Sequence, residues 1–159
     1  MSRGEVQFSD PTSTPVDAPF TWQVPEGWQK ALDRAMRLVT YTFGSSGAEC
    51  YVVLLAGEAG GPEANINRWR KQVGQPALTP EEFAALPRIT VLGTQAPMVE
   101  ASGTFVGMGE QEQPGYLLLG VAASFDGQSV FVKMVGPEAD VRAQRDAFVR
   151  FCESFERAK

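Results

Sequence analysis

Two segments of this chain are apolar on both of their faces. In residues 49–55, Cys50, Val52 and Leu54 alternate with Tyr51, Val53 and Leu55. In residues 116–124, Leu117, Leu119 and Val121 alternate with Tyr116 and Leu118. Successive side chains of a strand point to opposite faces, so a strand that is apolar on both sides needs a layer over each. The chain must therefore build a sheet whose middle strands are sandwiched.

Turn signals make that sheet antiparallel. Asp126-Gly127 is a tight-hairpin dipeptide leading from the second segment into a strand over 129–135. Ser45-Ser46-Gly47 joins a strand over 36–43 to the first segment. In that earlier strand Met36 and Leu38 share one face, and Val39, Tyr41 and Phe43 share the other. Further strands are expected at 20–24, closed by the turn Pro25-Glu26-Gly27, and at 89–92 and 97–105. Residues 107–115 read as a loop.

Helices are expected to supply the covering layers. After the glycine-rich break at 57–61, Ile66, Trp69 and Val73 recur at helical spacing, and Gly74 stands where a helix-ending glycine belongs. Residues 80–85 suggest one more helical turn. A C-terminal amphipathic helix carries Val141, Phe148, Phe151, Cys152 and Phe155 on one stripe. Its exposed side sets Asp146 against Arg150 and Glu153 against Arg157. The fold class that follows is α+β: an antiparallel sheet with helices packed against it. Residues 1–18, polar and proline-rich, read as a flexible tether to one domain over 19–159.

Several chemistries are excluded or disfavoured by what the chain lacks. It has no histidine, which removes the usual Ser-His-Asp and Cys-His nucleophiles and the commonest zinc ligand. Its two cysteines, Cys50 and Cys152, fall on apolar faces; they read as buried thiols or as one disulfide. The carboxylate pairs Glu81/Glu82 and Glu110/Glu112 lie in polar stretches and read as solvated. The net charge of -5 opposes nucleic-acid binding. No apolar run approaches the roughly 20 residues that span a bilayer. No metal or cofactor site is read.

Residues 60–72 are the densest run of unusual residue types. Pro62, Glu63 and Asn65 fit helix initiation, and Pro62 and Glu63 argue against a phosphate loop. Ile66, Trp69 and Val73 fit a core stripe. That leaves Asn67, Arg68 and Gln72 as a candidate functional or structural polar cluster. Arg68 and Gln72 are one turn apart, and Arg68 is expected to hydrogen-bond nearby backbone. Lys133, between Val132 and Met134 with Phe131 and Val135 as same-face neighbours, is a second candidate. It is expected to reach solvent at a sheet margin.

Three stretches together resemble a known pattern: Trp22-Gln23-Val24-Pro25-Glu26-Gly27-Trp28, Gly60-Gly61 leading to residues 65–72, and Phe131-Val132-Lys133-Met134-Val135-Gly136-Pro137. They are similar to an uncharacterised planctomycete-type family of bacterial envelope proteins, many of them predicted lipoproteins. The Pro-x-Gly-Trp opening, β-rich middle and closing helix ending in Ser154-Phe155 also resemble the PsbP-like fold. That resemblance implies an α/β/α sandwich with a central antiparallel sheet of about six to seven strands, the fold of an extrinsic photosystem II subunit and of a Ran-binding nuclear import factor. The resemblance implies an accessory or binding role, an envelope or periplasmic location and a lipid anchor on a longer precursor. It transfers no functional residue.

The reading that results is a noncatalytic binding or accessory domain recognising a protein or small ligand. One alternative is an enzyme with an unconventional polar site around Asn67, Arg68 and Lys133. The other is an assembly module using a sheet edge or the 107–115 loop.

Overall fold

The computed structural model describes residues 18–44, 47–57, 60–106 and 111–158. Residues 1–17 of the expected tether, the Ser45-Ser46 turn and residues 107–110 of the expected loop lie outside the described residues, whereas Ala18 is described and buried. The central element is a seven-stranded antiparallel sheet in the order β2-β3-β4-β8-β7-β6-β5. Its strands are β2 (Gln29–Lys30), β3 (Val39–Thr42), β4 (Glu49–Ala56), β5 (Arg88–Val91), β6 (Thr94–Val106), β7 (Glu112–Phe125) and β8 (Gln128–Pro137). The doubly apolar segments are β4 and β7, which flank β8 at the middle of the sheet. Asp126 and Gly127 adopt φ of 52° and 76° and turn β7 into β8 as the dipeptide demands. Leu92-Gly93 does the same between β5 and β6, with φ of 52° and 80°.

One face is closed by α3 (Glu138–Ala143), α4 (Arg145–Glu153) and residues 18–28. Phe20, Trp22, Trp28, Tyr41, Phe148 and Phe151 pack there with the buried side of β3, β4, β7 and β8. Polar tips inside this cluster are paired: Trp22 Nε1 donates to the Tyr41 hydroxyl at 2.9 Å, and Trp28 Nε1 donates to Gln144 Oε1 at 2.8 Å. Cys50 and Cys152 are free thiols buried in this layer.

The other face is covered by α1 (Gly61–Gln72). The helix starts from Gly60 in a left-handed conformation and ends in a Schellman arrangement. Gly74 N donates to Lys71 O and Gln75 N to Arg70 O, with Gly74 at φ 79°. Asn65 does not cap; its Nδ2 donates to Gly61 O at 2.7 Å. Ile66, Trp69 and Val73 are buried, as their spacing predicts. Two glycines decide where α1 rests. A Cβ on Gly120 of β7 would lie 2.5 Å from Trp69 Cε3, and one on Gly103 of β6 would lie 2.0 Å from Val73 O. The helix therefore sits on β6 and β7. α2 (Pro80–Ala84) follows, closed by a capping box between Thr79 and Glu82.

Several local expectations are corrected. The strand expected at 20–24 is β1 (Phe20–Thr21), which leaves the main sheet and pairs with β9 (Glu156–Arg157). The strand expected at 36–43 begins only at Val39. Met36 has φ 70° and is exposed, because a turn closed by Arg37 N on Arg34 O precedes the strand. The last helix is two helices broken at Gln144, the residue that accepts the Trp28 indole. Arg150 pairs with Glu153, and Arg157 reaches Asp126 across the β7–β8 turn. Residues 112–115, expected in a loop, already belong to β7.

Substituting Gly120→Ala should destabilise the protein by about 1–3 kcal/mol, because the new methyl overlaps the Trp69 ring. Chemical denaturation measures it. An unchanged midpoint would contradict the close seating of the helix.

Candidate functional site

With α1 held over β6 and β7, the same face of β4 and β8 is left partly uncovered. One row of register partners crosses it: Thr40 on β3, Tyr51 on β4, Lys133 on β8, Gly120 on β7 and Val99 on β6. Trp69 fills the space above Gly120. Beside it, over Tyr51 and Lys133, a cavity of about 760 Å³ opens between α1 and the turn preceding β3. Small-molecule sites commonly measure about 300–1,000 Å³.

The floor and walls are largely apolar. Val53, Leu55, Phe131 and Val135 form the floor, and Trp69 and Phe105 stand at one side. Tyr51 is half-buried and closed over by Arg37, whose guanidinium lies 3.6 Å from the ring centroid. Arg37 also grips Glu49 with two hydrogen bonds of 3.2 and 3.1 Å and donates to Thr40 Oγ1 at 3.3 Å. The fork-to-carboxylate geometry fixes this wall of the cavity. Burial drives the Tyr51 phenol up to about 12, against the opposing pull of Arg37.

Lys133 is the central polar group. It lies 5% exposed on the middle strand of the sheet, so it has no margin at which to reach solvent, contrary to expectation. Its Nζ donates to Gln72 Oε1 at 2.6 Å and lies 5.6–5.9 Å from the rings of Tyr51, Trp69 and Phe105. Burial, then the positive charges of Arg68 and Arg37, lower its pKa from 10.5 to about 7, with Glu49 opposing.

The polar cluster read from α1 divides. Gln72 points into the cavity and holds Lys133. Arg68 also lines the cavity and is exposed. Among the described residues it makes no hydrogen bond to backbone; that bond belongs to Arg70, whose Nε donates to Pro76 O at 2.8 Å. Asn67 serves the fold on another side of the helix, its Oδ1 accepting from Leu78 N at 2.9 Å. The trio Asn67, Arg68 and Lys133 is therefore not brought together. Arg37, Glu49, Tyr51 and Phe105 were not singled out from sequence. Only the β4–β8 register and the turn before β3 place them beside Lys133. Of the carboxylate pairs, Glu82 is spent on the α2 cap.

No protein-family profile matches the chain, and no curated protein matches it in sequence. Solved structures do match. A cyanobacterial PsbP (CyanoP) from Synechocystis sp. PCC 6803 aligns over 99% of this chain and 95% of its own, with TM-score 0.50 and 12% identity. The fold is PsbP-like. LpqN of Mycobacterium tuberculosis, described as involved in cell envelope biogenesis, aligns over 88% of this chain and 83% of its own (TM-score 0.51, 13% identity). A protein of Bacteroides thetaiotaomicron VPI-5482 aligns over 89% of this chain with TM-score 0.53 and 10% identity. The chain spans 46% of that protein's length. At such identities the likeness establishes architecture, and site residues rest on this protein's own geometry.

The lowered pKa has a consequence for stability. Between about pH 7 and 10.5 the unfolded state binds the Lys133 proton more than the folded state does, so this residue makes stability rise with pH; below pH 7 its full penalty remains. Replacing Lys133→Met should stabilise the protein by about 3–6 kcal/mol at pH 6, with a smaller margin at pH 9. Urea denaturation of both proteins at the two pH values checks it. A margin independent of pH would contradict the assignment.

Proposed function

We propose that this protein is a noncatalytic binding or accessory domain that receives a small molecule in the cavity between α1 and strands β4 and β8. The observation that carries the reading is the half-covered sheet face. A strand row apolar enough to demand a covering layer is left facing a cavity, with a few polar groups converging on it. No nucleophile–base pair accompanies these groups among the described residues, and Asn67, needed for the enzymatic alternative, is turned toward Leu78.

The proposal extends to location. The motifs at 22–28, 60–72 and 131–137 support membership of the planctomycete-type envelope family. The involvement of LpqN in cell envelope biogenesis supports work in the cell envelope. In that setting residues 1–18 would tether the domain of residues 19–159 to a lipid anchor on a longer precursor. Among the described residues no helix is long and apolar enough to cross a membrane, so an anchor of this kind would supply attachment.

A panel of small amphipathic compounds should contain ligands that raise the unfolding midpoint. Filling the cavity with Val53→Trp should abolish their binding in a protein that remains folded by circular dichroism. A panel without ligands, or ligands that bind the Trp variant equally well, would count against the reading. Fractionation of cells making the natural full-length product should recover it with the envelope; recovery in the cytosol would overturn that part.

A further inference from the structure

The charge of this cavity runs against the charge of the chain. Acidic residues outnumber basic ones overall, 19 to 14. Yet the described residues lining the cavity include four cationic side chains, Arg34, Arg37, Arg68 and Lys133, and one carboxylate, Glu49. Arg37 neutralises Glu49 through the two-pronged ion pair. Arg68 has no ion-pair partner among the described residues. Lys133 donates to a neutral amide, Gln72, which leaves its charge uncompensated. Positive charge facing largely apolar walls is complementary to a molecule with an anionic end and a hydrocarbon body.

We propose that the cavity selects amphipathic monoanions, with Arg68 and Lys133 holding the anionic group and the hydrocarbon body lying on Trp69, Phe131 and Val53. The inference rests on the cavity being the binding site proposed above. The common chemistry is a carboxylate or similar head on an apolar chain, whether a free fatty acid or a lipid fragment supplies it. Charge-assisted hydrogen bonds from a desolvated ammonium and a guanidinium are worth about twice neutral ones. A buried ammonium is costly alone and is stabilised when an anion joins it.

Binding should also take up a proton. Lys133 faces Arg68 and Gln72 from α1, Arg37 from the turn before β3, Glu49 and Tyr51 from β4, and Phe105 from β6. Arginine carries a fixed charge across neutral pH, Glu49 is ion-paired, and Tyr51 titrates at about 12. Lys133 is thus the cavity group poised near neutrality. An anion favours its protonated form, so affinity should be greatest below pH 7 and fall as pH rises.

Isothermal titration calorimetry with decanoate, decanol and decylamine tests this. Decanoate should bind at least about tenfold more tightly than decanol or decylamine at pH 6.5. Its affinity should fall by up to about tenfold per pH unit above 7. Lys133→Gln should weaken decanoate by about tenfold or more and remove the pH slope. Arg68→Gln, at an exposed helix position that folding does not require, should weaken decanoate similarly while the slope persists. Decanol binding as tightly as decanoate would overturn the anion proposal and leave the cavity reading standing; preferential decylamine binding would do the same. If none of the three binds, both readings fail.

Discussion

The seating of Trp69 on Gly120 is the contact on which the rest of the arrangement depends. A glycine in the middle of a buried strand would ordinarily weaken it. Here its missing side chain admits the indole, which also meets Phe131 edge-on with ring centroids 5.6 Å apart. The second close approach, Val73 against Gly103, lies one turn further along, at the C-terminal end of the same helix. Two points of contact set both the position and the direction of α1. Truncating Trp69 would forfeit about 3–5 kcal/mol, as for large core aromatics generally.

The site follows from that placement. A helix pulled toward β6 and β7 cannot also cover β4 and β8; α2 packs beside it through Phe83, and α3 and α4 are committed to the opposite face. There Trp28, Gln144 and the β1–β9 clip close the aromatic layer. The two faces of the sheet therefore differ in kind, one sealed and one sealed only in part. Lys133 lies at the boundary between the covered and uncovered halves. Its stem is packed, its ammonium is held by Gln72, and its charge is met by Arg68 and Arg37 rather than by a carboxylate. Such a group lowers stability near neutral pH, and a ligand that compensates its charge would recover part of the loss.

The architecture was readable because it rests on periodicity. The alternation in residues 49–55 and 116–124, the Asp126-Gly127 turn and the Ile66, Trp69, Val73 stripe are local signals, and each element formed where its pattern lay. The site was readable only in part. Gln72 and Lys133 were named, but their hydrogen bond joins residues 61 positions apart and depends on register. Lys133 looked marginal because sequence does not reveal that β8 is the middle strand. Arg37 was hidden inside an apparent alternation, Met36 to Phe43, that the turn at Arg34 cuts short. Arg68 lines the cavity instead of bonding backbone because α1 rests over β6 and β7 and leaves that face of the helix beside β4 and β8, a placement sequence does not reveal. Gln29–Lys30, polar and two residues long, gave no strand signal at all.

The central claim is that a lysine in the middle of the sheet is held desolvated beside a cavity, paired with an amide and with no carboxylate among the described residues. Nuclear magnetic resonance of protein labelled at the lysine side chains, followed from pH 5 to 11, tests it most directly. The account predicts that Lys133, assigned by its loss in Lys133→Met, titrates near 7. A Lys133 signal that titrates near the ordinary value of about 10.4 would contradict it.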